Sequence, residues 1–317
     1  MPEGPHSRRG PHATGPIPDP FPDPAAAKGL PRFGKLGRMS LLTGKRGLVF
    51  GIANERSYAW FIAKQLHEAG MELAFTFLPM GKMEQRVRKA VQKIGIEEPW
   101  LVECDANDDA SLDKVFDSYG NDFDTLDGIV HSIAFADKDY LKADMFHKTP
   151  REVYRNAVDT SAYTLLAMAQ RGLPLMQQTS DTKPEPGGAI VNMSYYGGEK
   201  VTPGYNVMGI AKAALEHTTR YLAYELGQPD RNVRVNCISA GPFKTLAGAG
   251  VGGMDQMIQY QEYAASMKRC NSGEEVGDTA VYLMSHMSGG VTGETIHVDA
   301  GFSIVGVPPH KEEALPG

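Results

Sequence analysis

The stretch Gly47-Leu48-Val49-Phe50-Gly51-Ile52-Ala53-Asn54-Glu55-Arg56-Ser57-Tyr58-Ala59 decides the fold class. Residues 47–50 form a short unbroken apolar run, the signature of a strand buried on both faces. Gly51 allows the chain to turn sharply, and Ala59, Ile62, Ala63 and Leu66 then recur at helical spacing. The same alternation continues along the chain. Apolar runs at Leu73–Phe77, Trp100–Cys104, Gly128–Ser132, Ala189–Met193, Val233–Ile238 and Thr295–Val298 are separated by helix-like stretches. One of these carries Leu112, Val115, Phe116 and Tyr119, and the glycines that follow two of them, Gly70 and Gly120, read as helix C-caps. Seven strands with interleaved helices predict a single doubly wound, Rossmann-like α/β domain with a seven-stranded parallel sheet.

Composition narrows the function. An apolar share of 42% and a charged share of 22% are ordinary for a folded chain of 317 residues. A net charge of −6 argues against nucleic acid as a partner. Cys104, Cys237 and Cys270 are an odd number with no CxxC spacing, which argues against a zinc site or a disulfide framework and fits a reducing compartment; a cytoplasmic location is expected. No apolar run approaches the length of a membrane span. Residues 1–38 hold nine of the 21 prolines and read as a disordered Pro/Gly-rich tail. The pair Arg8-Arg9 is followed by no hydrophobic segment, so an export signal is not expected. Met39-Ser40 opens the expected domain at 39–307, and 308–317 reads as a C-terminal tail.

In such a sheet a dinucleotide lies across the carboxyl ends of the strands, with its pyrophosphate at the first helix N-terminus. Gly51 lets the backbone approach that ligand, and Ser57 is placed to cap the helix or to donate a hydroxyl to phosphate. The familiar GxGxxG is absent, so this loop alone is a weak signal. Asp105, after the third strand, can accept from an adenine amino group. Ser132-Ile133-Ala134 ends the fourth strand, beside the expected nicotinamide ribose.

The catalytic signal follows the fifth strand. In Tyr205-Asn206-Val207-Met208-Gly209-Ile210-Ala211-Lys212, seven residues make nearly two helical turns, so the phenol and the ammonium share a face. A nearby ammonium favours the phenolate, so the Tyr205 pKa is expected to fall. Lys212 can also donate to the ribose hydroxyls, and Tyr195 can reach the same space. Farther on, Ala247-Gly248-Ala249-Gly250-Val251-Gly252-Gly253 leads into Met254-Asp255-Gln256-Met257-Ile258-Gln259-Tyr260, a glycine-hinged, Met-rich stretch suited to a substrate lid.

Taken in order, Gly51-x5-Ser57-Tyr58-Ala59, His131-Ser132-Ile133-Ala134-Phe135-Ala136, Ser194-Tyr195, Tyr205-x6-Lys212-Ala213 and Ile238-Ser239-Ala240-Gly241-Pro242 resemble the bacterial NADH-dependent enoyl-acyl-carrier-protein reductases. That family is a divergent branch of the short-chain dehydrogenase/reductase superfamily. The resemblance runs from about Met39 to Val307, through the closing His297-Val298-Asp299-Ala300-Gly301-Phe302. It implies hydride transfer from NADH to the β carbon of a trans-2-enoyl thioester on acyl-carrier protein, the last reductive step of fatty acid elongation. Tyr205 would bond the thioester carbonyl, Lys212 would hold the nicotinamide ribose, and Tyr195 would stand beside the substrate. Gly51, Ser57, Tyr58, Leu78, Asp105, Ala106 and Ile133 would contact the dinucleotide. Phe243, Lys244, Thr245, Leu246 and Ala247 would cover it, and Ala136 and Met208 would border the acyl group. The usual assembly is a homotetramer.

Three positions depart from the family pattern. Ala134 and Phe61 stand where glycine is usual, and Phe243 replaces an isoleucine beside the nicotinamide. They imply altered helix–sheet packing at Phe61 and a narrower pocket at Phe243. After the second strand, Leu78-Pro79-Met80 offers neither an acid for a 2′-hydroxyl nor an arginine for a 2′-phosphate, although Lys82 and Arg86 are near; NADH is favoured over NADPH. The rival readings are a 3-oxoacyl thioester or other carbonyl reductase of the same superfamily, and a non-catalytic NAD-binding protein. Carbonyl reductases typically carry Tyr-x3-Lys, and position 209 is glycine.

Overall fold

The computed structural model describes residues 41–182, 187–243 and 254–307. The strands are β1 (Arg46–Phe50), β2 (Glu72–Phe77), β3 (Trp100–Glu103), β4 (Gly128–His131), β5 (Ala189–Ser194), β6 (Arg234–Ala240) and β7 (Thr295–Val298). They form one sheet in the order β3-β2-β1-β4-β5-β6-β7, with every pair parallel. All seven expected strands are present, with ends that shift by one or two residues. The chain order reverses between β1 and β4, which opens the crevice where doubly wound sheets take their ligands.

Eight α-helices among the described residues complete the layers. They are α1 (Tyr58–Glu68), α2 (Met83–Gln92), α3 (Asp109–Asp122), α4 (Arg151–Val158), α5 (Thr164–Thr182), α6 (Asn206–Leu226), α7 (Met254–Ala264) and α8 (Gly273–Met284). Side chains alternate across each strand, so Val49 and Phe75 enter one core with α1, α2 and α8, while Leu48, Phe50 and Ala74 enter the other with α3, α5 and α6. Every residue of β4, β5 and β6 is buried, which explains why those strands read as nearly continuous apolar runs rather than as apolar and polar residues in alternation. No helix among the described residues is long and apolar enough to cross a membrane.

Two expectations about local structure fare differently. Gly70 adopts φ +95 just after α1, as a C-cap glycine does. Gly120, by contrast, lies inside α3, which continues to Asp122. The helix ends where Phe123 turns back to pack on Tyr119, with ring centroids 4.7 Å apart, so an aromatic contact sets the stop. A helix break of another kind joins α4 to α5: Asp159–Tyr163 forms a turn of π-helix, an insertion no sequence pattern announced.

Gly51 is a tight point of the scaffold. Its φ is +99, and a Cβ there would collide with the Ser132 carbonyl at the end of β4. The glycine is therefore demanded first by the neighbouring strand. Replacing Gly51 with alanine adds backbone strain to that collision and is expected to cost about 2 kcal/mol or more. Urea unfolding of the variant measures the loss; an unchanged midpoint would contradict the close approach.

Candidate active site

The carboxyl rim of the sheet collects the residues singled out for cofactor binding. Ser57 occupies the N-cap position of α1, yet its hydroxyl donates to the Asn54 carbonyl at 2.7 Å and makes no cap bond. Its expected capping role is not realised because the preceding turn takes the hydroxyl. Asp105 accepts from the Asn107 backbone N–H at 3.0 Å, and its own N–H donates to Ser111 Oγ at 2.9 Å, which fixes the turn into α3. Ala106 is buried beside it. Leu78 is exposed after β2, and Ile133 is half-buried after β4. Lys244, Thr245, Leu246, Ala247 and the glycine-rich part of the expected lid, like the tails at 1–38 and 308–317, lie outside the described residues. The Met-rich stretch that follows forms α7.

Tyr195 and Tyr205 meet at the end of β5, their ring centroids 4.8 Å apart at 65°. Tyr205 sits at the N-cap position of α6. Lys212 is buried in that helix, and its Nζ donates to the Met193 carbonyl at 2.6 Å. The helix comes this close because of glycines. A Cβ on Gly197 would strike the Tyr205 ring, and one on Gly209 would lie 2.6 Å from the Gly197 carbonyl. A lysine at 209, the Tyr-x3-Lys spacing of carbonyl reductases, therefore has no room. On the opposite side, Ala136, Tyr205 and Met208 join Leu141, Val207 and Ala211 in a small apolar cluster separate from the two cores.

One electrostatic expectation needs correction. The Tyr205 pKa does not fall; burial pushes it up, with Tyr195 and Glu216 adding to the shift. The Lys212 ammonium is held at a backbone carbonyl and does not offset that desolvation. Burial likewise brings Lys212 down to about 8 and raises Tyr195 to about 12. At neutral pH the site thus holds two protonated phenols and a mostly protonated amine. That is a constellation of hydrogen-bond donors, suited to an oxygen on which negative charge develops.

Sequence reading missed several supporting residues. His131 is fully buried; its Nε2 lies 2.7 Å from Thr164 Oγ1, which in turn donates to the Thr160 carbonyl. Burial drops its pKa to about 3, so the ring is neutral. Ser161, in the π-turn, accepts from the Phe135 N–H at 3.0 Å and so ties down the loop that carries Ala136. Nothing in the sequence distinguishes these serines and threonines from ordinary helix residues. Glu216 did leave a trace: it is a carboxylate one turn beyond Lys212 on a face that is otherwise apolar except for Thr219.

The departures Phe61 and Phe243 turn out to be partners. Their rings meet edge to face at 5.5 Å, and Tyr58 packs on Phe243 at 5.4 Å. Phe61 also rests on Gly273, where a Cβ would collide with its ring, so the bulk is absorbed between α1 and α8 rather than against the sheet. The Tyr58 hydroxyl donates to the Gly241 carbonyl at 2.8 Å and accepts from Asn271 Nδ2 at 3.0 Å. It bridges the first helix to the end of β6.

Comparison with known proteins identifies the family. The family model for enoyl-(acyl carrier protein) reductase matches residues 51–303. The enoyl-[acyl-carrier-protein] reductase [NADH] 1 of Rhizobium meliloti is 45% identical over 267 residues, 84% of this chain and 93% of that protein. The crystal structure of the NADH enoyl-[acyl-carrier-protein] reductase from Aquifex aeolicus superposes with a TM-score of 0.77 at 44% identity, covering 84% of this chain and all of that one. The Bacillus cereus enoyl-acyl carrier protein reductase, solved with NADP+ and indole naphthyridinone, gives 0.79 at 42% identity, with 85% and 100% covered.

Tyr58→Phe removes the hydroxyl that satisfies the buried Gly241 carbonyl, a loss of about 1–3 kcal/mol. Thermal unfolding should register a melting temperature lower by roughly 2–4 °C for each kcal/mol. A variant as stable as the parent would show the bridge to be incidental.

Proposed function

The chain belongs to the enoyl-(acyl carrier protein) reductase family, and from that premise we propose that Tyr205, Lys212 and Tyr195 carry its chemistry. The protein is an NADH-dependent oxidoreductase that saturates an enoyl thioester borne on acyl-carrier protein, the closing reduction in a cycle of fatty acid elongation. The observation that supports the site assignment is the contact of the two phenol rings at the end of β5, the strand whose Met193 carbonyl accepts from the buried Lys212 ammonium.

The rim suits a dinucleotide. The side-chain-free turn at Gly51 and the switch point between β1 and β4 leave room for it, and the buried Lys212 ammonium supplies a donor for a ribose hydroxyl. Gly51, Ser57, Tyr58, Leu78, Asp105, Ala106, Ile133, Lys212 and Phe243 would hold NADH, with Lys244 to Ala247 continuing that wall. When bound, NADH supplies the hydride that adds to the β carbon of the substrate. The Tyr205 phenol, kept protonated by burial, donates to the thioester carbonyl oxygen as it gains enolate charge; a donor already in place lowers the barrier more than it tightens binding. Tyr195 confines the thioester from the other side, and Ala136 and Met208 receive the start of the acyl chain.

The reductase domain occupies 39–307 and assembles as a homotetramer in the cytoplasm. Support for assembly comes from an exposed apolar face on α6, where Ile210, Tyr221 and Tyr224 stand uncovered, together with exposed Tyr163 and Leu166 at the start of α5.

Loss of absorbance at the reduced nicotinamide band is expected with NADH and crotonyl thioester, and not with acetoacetyl thioester. The reverse preference would return the protein to the carbonyl reductases, and silence with both would leave a binding protein. Tyr205→Phe should lower kcat by roughly 100- to 1,000-fold with the fold intact. Lys212→Ala should raise KM for NADH as well as slowing turnover; normal cofactor affinity and rate would remove Lys212 from the site.

A further inference from the structure

Helix α6 buries two charged side chains one turn apart, and both reach the same end of β5. Lys212 and Glu216 are 6% and 3% exposed. Lys212 Nζ donates to the Met193 carbonyl at 2.6 Å, and Ser194 Oγ donates to Glu216 Oε1 at 2.5 Å. The helix thus grips two consecutive strand residues, and the next one is Tyr195. Beyond it the chain makes a short 3-10 turn, Tyr196–Gly198, closed by the Gly198 N–H to the Tyr195 carbonyl at 2.8 Å. That turn lies on the carboxylate: a Cβ on Gly198 would sit 2.8 Å from Glu216 Oε1.

A carboxylate out of water is costly, and no cation stands within ion-pair distance of Glu216 among the described residues. Packing alone would be served by a leucine. We propose that Glu216 is a positioning residue for the reduction, locking Ser194 and hence Tyr195 against α6 and setting a negative charge one helical turn from the buried Lys212.

The groups around the carboxylate agree with that assignment. On its own helix it faces Lys212 and Arg220, from β6 Cys237, from β7 His297, and from the segment after β5 Glu199. Glu199 lies 2.7 Å from His297 Nε2, so its charge is partly engaged there. Desolvation draws Lys212 down to about 8, and Glu216 and Cys237 are the groups that oppose it. Cys237 is itself pushed up by burial and stays a neutral thiol at ordinary pH, which leaves Glu216 as the source of countercharge. Burial raises the pKa of Glu216, and the hydrogen bond from Ser194, as donor, opposes that rise by favouring the carboxylate as acceptor.

The inference rests on the roles given to Tyr195, Tyr205 and Lys212, and one series of variants separates the two. Glu216→Gln keeps an oxygen to accept from Ser194 and removes the charge. In the full chain it should retain its melting temperature, while the alkaline limb of kcat/KM for NADH shifts to lower pH by about half a unit or more, because Lys212 then loses its proton sooner. Ser194→Ala keeps the charge and cuts the tie to β5. It should leave the alkaline limb in place and lower kcat by about tenfold, since a small misplacement of Tyr195 is felt at the reacting carbonyl. Glu216→Ala should show both changes. A Glu216→Gln enzyme with the parent pH profile, or a Ser194→Ala enzyme with the parent kcat, would overturn the corresponding half of the proposal. Lys212→Met is measured alongside. If it abolishes the alkaline limb while Glu216→Gln leaves it unmoved, Glu216 alone is misassigned; if it keeps the limb and the NADH affinity, the reading of Lys212 fails first.

Discussion

A parallel sheet covered on both faces leaves polar chemistry very few places to go. Strands β4, β5 and β6 bury every residue, and their side chains alternate between two apolar cores. Within the strands the few buried polar groups are taken up structurally, Asn192 by Thr219 and the Asn236 carbonyl and Arg234 by Ser285 and Ser288, whereas the carboxyl rim, where strands give way to turns, presents polar groups at the crevice between β1 and β4. Gly51, Asp105, Ile133, Tyr195 and Phe243 come from five different strand ends, up to 192 positions apart in the chain, and share that rim because the sheet is in register.

The same burial sets the acidity of the site. An ammonium near a phenol would lower the phenol's pKa, but the Lys212 ammonium is held at the Met193 carbonyl, and burial of Tyr205 raises its pKa, with Tyr195 and Glu216 adding to the rise. Tyr205 is consequently held in the form that can donate. For the reduction of an enoyl thioester this is the useful form, since the oxygen that must be stabilised is an incipient enolate. The neutral His131 is tied to Thr164 and adds no second ionic charge near Lys212.

Packing around the first helix shows how departures from a family pattern can be absorbed together. Phe61 and Phe243 add bulk on two separate segments, and each would crowd its surroundings alone. Paired edge to face, with Gly273 vacating the volume beneath Phe61 and Tyr58 covering Phe243, they form one aromatic joint between α1, α8 and the end of β6. Single-position comparison places one of them against the sheet and the other in the pocket; the three-dimensional contact makes them a unit.

Most of the architecture was already written in the chain, because strand and helix periods are local and the apolar runs of a parallel sheet are unusually plain. The seven strands, their helices and the Tyr-x6-Lys spacing followed from that alone, and the ordered motifs identified the family. Local pattern could not show which way a buried lysine points, how far burial raises a phenol's pKa, or that α3 would pass through Gly120 to end on an aromatic contact. Nor could it find the π-turn, the fit of Gly209 against Gly197, or the carboxylate of Glu216 under Ser194. Those depend on the distance between segments remote in sequence and on the water excluded between them, and both quantities come into existence only when the layers close.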